Sequence, residues 1–296
     1  MGRMRSLFWL SIVLLMHLKK PVTCATPLQP SVEIVTGHVK VFTGDSVKLK
    51  CVVPATPYNS IWTYAWYNGH DQMPDISNEH LIFSRIKTKQ SGKYCCQAFR
   101  DTSVQDIPTS PSLPVEISVD GGWAILDTPS QAVVGFPLYM VCRVRGNYPI
   151  HEVVLYRNGE AILVQDVPKF ILNNLTVADW GVYTCRASWN QNRKTYSVIS
   201  AQVTVQVVEP LTQPSLTVVD NEEMRSLSKL KLECVLEYNV PDPAPLLIYY
   251  FYINDNQYGT PTSDNYSLVE RLNGIFKCQA KVPQLGLSQW SEPVSF

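Results

Sequence analysis

Apolar and polar residues alternate over short stretches of this chain, a period of two that is typical of β-strands with one buried face. Three such stretches end at a cysteine: SVKLKC (46–51), PLYMVC (137–142) and LKLEC (230–234). Three more end at a second cysteine and follow a turn: SGKYCC (91–96), DWGVYTC (179–185) and NGIFKC (273–278). Because no stretch keeps a helical period beyond about two turns, the pattern predicts an all-β protein.

The cysteines divide the chain into three repeats. Cys51 and Cys96, Cys142 and Cys185, and Cys234 and Cys278 lie about 45 positions apart, as in β-sandwiches whose sheets are joined by a disulfide. Each bond should stabilise its sandwich by roughly 4 kcal/mol in the chain-entropy model. We therefore predict three sandwich domains, at residues 26–118, 119–208 and 209–296.

Aromatic residues support the same assignment. Trp66 follows Cys51 at a distance suited to packing on the disulfide, and the other repeats lack this tryptophan. Tyr94 and Tyr183 stand two residues before the second cysteine, which is the position of a tyrosine corner. Phe276 occupies that position in the third repeat, so we expect its corner to lack the hydroxyl hydrogen bond.

The N-terminus has the three regions of a secretory signal peptide. A basic start is followed by the apolar run LFWLSIVLLMHL (7–18) and by the small-residue end PVTCA (21–25). Cleavage after Ala25 removes residues 1–25, and cleavage after Cys24 removes one residue fewer, so both remove Cys24. The alternative interpretation is an uncleaved membrane anchor. No later run is apolar for long enough to cross a bilayer. The sequence predicts a secreted, extracellular protein, although a cut ectodomain would look the same.

Composition and charge argue against several functions. Apolar residues make up 45% of the chain, and 25 Lys and Arg balance 25 Asp and Glu, so no charge excess favours nucleic acid or an anionic membrane. No C-x-x-C pair or spaced histidine predicts a metal, and no catalytic or phosphate-binding motif predicts a cofactor or an enzyme. His151 and Glu152 are adjacent, as are His80 and Glu79, but adjacent strand residues face opposite ways.

Four segments, in domain order, resemble Fc receptors and Fc receptor-like proteins. They are SGKYCCQ (91–97), GWAILDTP (122–129), LIYYFY (247–252) and SQWSEPVSF (288–296). The chain is similar to three-domain members of this family, such as the soluble ones described in bony fish. The resemblance implies immunoglobulin-like β-sandwiches, and the short span between paired cysteines favours constant-like or intermediate sets.

The resemblance also implies a ligand, the Fc part of an immunoglobulin, bound by loops of domain two and its joint with domain one. Trp123 matches the joint tryptophan of the family, but Arg145 stands where a second tryptophan completes a clamp around a proline. Arg145 can stack on a neighbouring ring, and Tyr148 is close in sequence. The incomplete clamp leaves the immunoglobulin class open, with IgM as one candidate.

A second candidate surface is the segment SWNQNRK (188–194), with Trp189, Arg193 and Lys194. Exposed tryptophan and arginine are enriched at binding hot spots. The alternative interpretation of Trp189 is a folded-back cap of its loop, and that of Trp123 is an apolar filler of the joint. Two other functions stay open: a soluble leukocyte-type receptor or decoy for a different cell-surface protein, and a cytokine-receptor-like module suggested by WSEP (290–293).

Two kinds of modification are predicted. Asn174 and Asn265 begin N-x-S/T acceptor sequences for glycosylation. The family motif places Cys96 on the inward face beside Tyr94, so Cys96 pairs with Cys51 and Cys95 points outward. Once Cys24 is removed, Cys95 has no partner in the chain. A homodimer linked through Cys95 and a shielded or capped thiol are the two interpretations.

Overall fold

The computed structural model describes residues 28–55, 61–74, 76–100, 107–146 and 148–296; the predicted signal peptide and Cys24 lie outside them. The described chain forms two compact units. The first lies within residues 28–37, 47–83 and 92–116, and the second comprises His38–Ser46, Ser84–Ser91 and Ile117–Phe296. No helix in the described part is long and apolar enough to cross a membrane.

The first cysteine pair lies in the first unit. The strands of this repeat are β1 (Ser31–Thr36), β2 (Lys40–Phe42), β3 (Val47–Val52), β4 (Trp62–Asn68), β5 (Asp71–Gln72), β6 (His80–Phe83), β7 (Gly92–Arg100), β8 (Ile107–Pro108) and β9 (Val115–Asp120), with a 3-10 helix at Thr88–Gln90. One sheet has the order β1-β3-β6, and in the other β4 pairs with β5 and β7. The Cys51–Cys96 disulfide joins β3 to β7, and Trp66, opposite Cys96 in the register, is fully buried.

The second unit contains the second and third repeats, with β2 paired in parallel to β9. The strands of the second repeat are β10 (Ala124–Asp127), β11 (Gln131–Val133), β12 (Leu138–Val144), β13 (Ile150–Arg157), β14 (Glu160–Gln165), β15 (Lys169–Leu172), β16 (Gly181–Gln191), β17 (Lys194–Ile199) and β18 (Val203–Val208), with a 3-10 helix at Val177–Asp179. Sheets β10-β12-β15 and β11-β18-β16-β13-β14 enclose the core around the Cys142–Cys185 disulfide. The buried Tyr183 donates its hydroxyl to Asp179 O at 2.6 Å, as in a tyrosine corner.

The third repeat is a smaller version of the same arrangement. Its strands are β19 (Ser215–Val219), β20 (Lys229–Val235), β21 (Ile248–Ile253), β22 (Asn256–Thr262), β23 (Tyr266–Glu270), β24 (Ile275–Val282), β25 (Leu287–Trp290) and β26 (Val294–Ser295), with α1 (Glu222–Ser226) and a 3-10 helix at Pro283–Leu285. The Cys234–Cys278 disulfide joins its sheets. Phe276, close to Cys278 in the sequence, is fully buried. The predicted fold class, all-β with three immunoglobulin-like sandwiches, is confirmed; the domain boundaries stay predictions.

The cysteine doublet is divided by the alternation of β7. Cys96 is fully buried in its disulfide, while Cys95 is a free, half-buried cysteine opposite Tyr67. Burial raises the pKa of the Cys95 thiol. Because the thiolate is the reactive form, this environment lowers the reactivity of Cys95.

Candidate ligand-binding site

A long hairpin places two aromatic rings side by side at one end of the second sandwich. In the register of β16 and β17, Trp189 lies directly opposite Tyr196. The strands are joined by Asn192 and Arg193, with φ angles of 51° and 61°. Positive φ at both central residues is the mark of a type I′ turn, whose twist matches that of the paired strands. The turn therefore keeps β16 regular as far as Gln191.

Three aromatic rings form a stack at this end. The Tyr148 and Trp189 centroids are 4.5 Å apart with an interplanar angle of 15°. Those of Trp189 and Tyr196 are 5.9 Å apart at 16°. Trp189, in the middle, is only 4% exposed, and its indole Nε1 is buried with no hydrogen-bond partner among the residues that the structure describes.

The stack forms one side of an open groove of about 340 Å³, the aromatic groove. Its lining comprises Trp123, Tyr148, Trp189, Gln191, Tyr196, Ser197 and Val198. Trp123 is 55% exposed, an unusual amount for the largest apolar side chain. A concave surface of mostly aromatic side chains with few polar groups suits an apolar part of a ligand.

Arg145 is held away from the groove by carbonyl groups. Its Nε donates to Gly122 O at 3.2 Å and its Nη1 to Thr43 O at 3.1 Å. The guanidinium carbon lies 5.3 Å from the Phe42 ring centroid and 5.8 Å from that of Trp123. Both distances are within the range of cation–π attraction, so Arg145 supports Trp123 from the side.

The hairpin that lines the groove carries two cations at its tip. Arg193 and Lys194 are exposed at the hairpin tip, and neither has a carboxylate partner in the described part of the chain. Arg186 pairs with Glu152 at 3.2 Å. The described residues include no group of three or more His, Cys, Asp and Glu side chains that could hold a metal ion.

The structure brings Trp123, Tyr148 and Trp189 together and leaves Arg193 and Lys194 at the tip beyond them. One expectation was wrong: Trp189 is not an exposed loop residue but a buried strand residue, because β16 continues past it. Arg145 does contact rings, but these are Trp123 and Phe42 rather than Tyr148.

Sequence reasoning missed Tyr196 and Phe42. Tyr196 could have been found from the hairpin, since pairing across an Asn192–Arg193 turn places it opposite Trp189. Phe42 had no such signal, because it is far from Arg145 in the sequence and contacts it only through the fold.

The model of the immunoglobulin domain family matches residues 26–119 and 124–207, which is more than half of the chain. The chain belongs to the immunoglobulin domain family. Immunoglobulin-domain relatives include mouse Fc receptor-like B, 25% identical over 252 residues that cover 82% of this chain and 55% of that protein. Another is the bovine low affinity immunoglobulin gamma Fc region receptor III-A, 29% identical over 175 residues, or 58% of this chain and 64% of that protein.

These relatives confirm the resemblance to Fc receptors and Fc receptor-like proteins, and with it the prediction that this immunoglobulin-domain chain is not an enzyme. The chain spans about half the length of the mouse and human Fc receptor-like B proteins. Among solved structures, the three N-terminal domains of the bacteriophage RB49 outer capsid protein Hoc match with a TM-score of 0.30 and 16% identity, covering 90% of this chain and 95% of that one.

Proposed function

We propose that this chain is a receptor that binds the Fc part of an immunoglobulin through the aromatic groove. The observation that carries the proposal is the exposed Trp123 beside the ordered stack of Tyr148, Trp189 and Tyr196. Large aromatic side chains that are already ordered lose little entropy on binding, and they dominate binding energy in protein interfaces.

The names of the relatives support this choice of ligand. The bovine and human relatives are low affinity immunoglobulin gamma Fc region receptors. The groove lies in the second repeat, where the family resemblance predicts the ligand. Arg193 and Lys194 add positive charge at its edge, which would steer a partner with an acidic surface.

The class of immunoglobulin is a separate part of the proposal. Arg145 occupies the position of the second clamp tryptophan and is tied to the Gly122 and Thr43 carbonyls. A partner that depends on two tryptophans is therefore disfavoured, and the class stays open, with IgM as one candidate.

Surface plasmon resonance of the full mature chain against purified immunoglobulin classes tests the function. We expect Trp123→Ala and Tyr196→Ala each to weaken binding roughly 30-fold, the size of a hot-spot loss. Tyr139→Ala is the matched control, because Tyr139 is also exposed (53%) but lies on β12 in the opposite sheet.

Three outcomes are informative. Binding to no class would refute the function and favour a different cell-surface protein as ligand. Binding that neither groove substitution weakens would retain the function and refute the groove as its site. An equal loss with Tyr139→Ala would indicate a general effect on folding.

The proposal includes secretion after removal of residues 1–25, N-glycans at Asn174 and Asn265, and a free Cys95 thiol. Both asparagines are exposed, and the half-buried Cys95 favours the thiol over a Cys95-linked homodimer. Expression in animal cells checks all three. We expect the chain in the medium, a mass loss with peptide N-glycosidase, and a monomer on non-reducing electrophoresis; a dimer that reduction separates would refute the free thiol.

A further inference from the structure

The turn that follows β6 carries an unbalanced positive charge. Arg85, Lys87 and Lys89 are all exposed, and none pairs with a carboxylate among the described residues. The sequence has no acidic residue between Glu79 and Asp101. In a chain whose charges cancel overall, these three side chains, here called the basic turn, form a local excess.

The backbone of the basic turn is fixed by hydrogen bonds. Ile86 is fully buried, its N–H donates to Asp45 O at 2.9 Å, and its carbonyl accepts from Gly44 N at 2.7 Å. Lys87 is extended (φ −112°, ψ 156°), and its N–H donates to Gln90 Oε1 at 2.8 Å. Since successive residues of an extended segment face opposite ways, Arg85 and Lys87 point to solvent on the face opposite to the buried Ile86.

The loop that supports this turn carries one carboxylate, that of Asp45. Asp45 Oδ2 accepts a hydrogen bond from Phe42 N at 3.0 Å, and Asp45 forms no ion pair with the three cations. Among the described residues, no ion pair therefore ties the basic turn to the loop that supports it.

The fold does not require cations at this turn. The second repeat has the same 3-10 turn at Val177–Asp179, where Asp179 accepts from Thr176 N at 2.8 Å just as Gln90 accepts from Lys87. Arg85, Lys87 and Lys89 precede the corner tyrosine Tyr94. The residues at the same distances before Tyr183 are Asn174, Thr176 and Ala178. The one acid of that turn, Asp179, is paired with Arg157.

We propose that the basic turn binds a sulfated polysaccharide of the glycosaminoglycan class. Clusters of exposed Lys and Arg on a fixed backbone are typical of heparin-binding patches. The three disulfides place the folded chain in an oxidising environment outside the cytosol, where the abundant polyanions are sulfated polysaccharides rather than nucleic acids. This site does not depend on the aromatic groove or on the Fc proposal.

The test measures binding of the full chain to immobilised heparin by surface plasmon resonance. We expect the triple variant R85Q/K87Q/K89Q to bind roughly tenfold more weakly, since each exposed ion pair contributes modestly. The matched control K48Q/K169Q/K229Q removes the same charge from exposed or half-buried positions outside both the basic turn and the aromatic groove and should bind heparin as the wild type does. Equal hydrogen exchange of the three disulfide-linked cores in the two variants would exclude unfolding as the cause.

Additional arms identify the ligand. Binding should fall steeply as salt rises from about 0.05 to 0.2 M, as it does for phosphate polyanions, and should vanish with desulfated heparin. The proposal is wrong if the wild type does not bind heparin or if the two triple variants lose binding equally. Tighter binding to phosphatidylserine vesicles or to a DNA duplex than to heparin would also overturn it.

Discussion

Replacing Trp189 by phenylalanine tests how the aromatic stack is stabilised. Phenylalanine keeps one ring between Tyr148 and Tyr196 and removes the indole Nε1–H, which is buried with no partner among the described residues. A buried donor without a partner costs about 1–3 kcal/mol, and phenylalanine relieves that cost. The side chain shrinks by about 40 Å³, which at about 24 cal/mol per Å³ of cavity costs about 1 kcal/mol.

The two effects oppose each other and are of similar size. We therefore expect Trp189→Phe to change the free energy of opening by less than about 1 kcal/mol, in either direction. Trp189→Ala, which leaves a large cavity and removes both ring contacts, should cost about 3–5 kcal/mol. The difference between the variants separates the ring from its N–H group.

Hydrogen exchange measured by mass spectrometry suits this prediction. The chain has three disulfide-linked cores that need not unfold together, so one global melting temperature is not well defined. Peptides that cover β13 and β16 report opening of the second core alone. If Trp189→Phe lowered the free energy of opening by more than about 2 kcal/mol, the reasoning would be refuted, because the indole N–H group would then stabilise the second core.

Three further predictions concern single contacts. Hydrogen bonds from Arg271 and Arg225 lower the pKa of Asp220 to about 2, so its stabilising effect is present above the ordinary pKa and is lost as pH falls from about 4 to 2. Asp220→Asn should flatten that part of the pH profile of the free energy of opening of the third core, measured by hydrogen exchange, and an unchanged slope would contradict this. Arg193 has a φ of 61°, so Arg193→Gly should stabilise the hairpin by up to about 1 kcal/mol in hydrogen exchange of β16 and β17, whereas faster exchange would show that this backbone is unstrained. Tyr183→Phe removes the 2.6 Å hydrogen bond to Asp179 O and should cost about 1–3 kcal/mol in exchange of the second core; no loss would mean that the corner hydroxyl is dispensable.

The fold could be predicted from the sequence because its signals are local. Alternation of side chains along each strand and the span between paired cysteines are both visible in one chain. The third repeat shows that the fold does not need the corner hydroxyl. Phe276 replaces the corner tyrosine, yet it is fully buried and the sandwich closes around the Cys234–Cys278 disulfide. A buried apolar side chain at the corner position is therefore sufficient for the fold, and the hydrogen bond of a tyrosine hydroxyl adds to the stability.

The surroundings of Arg145 could not be predicted in the same way. Its guanidinium binds the Thr43 carbonyl, 102 residues away, and the Gly122 carbonyl, 23 residues away. Backbone carbonyls have no residue-specific signature, so a sequence gives no sign of which ones an arginine will reach. The same holds for the Phe42 ring beneath it.

Trp189 differs from Arg145, because the sequence did contain its signal. Counting in twos from Cys185 places Ala187 and Trp189 on the inward face, and all three are buried. What the sequence does not show is where the strand ends, and pairing of Gln191 with Lys194 extends it to the hairpin tip. Trp189 is therefore buried and also lines the aromatic groove, so substitutions there should change stability as well as binding. Trp123 and Tyr196 are both exposed, so substitutions there should change binding more than stability.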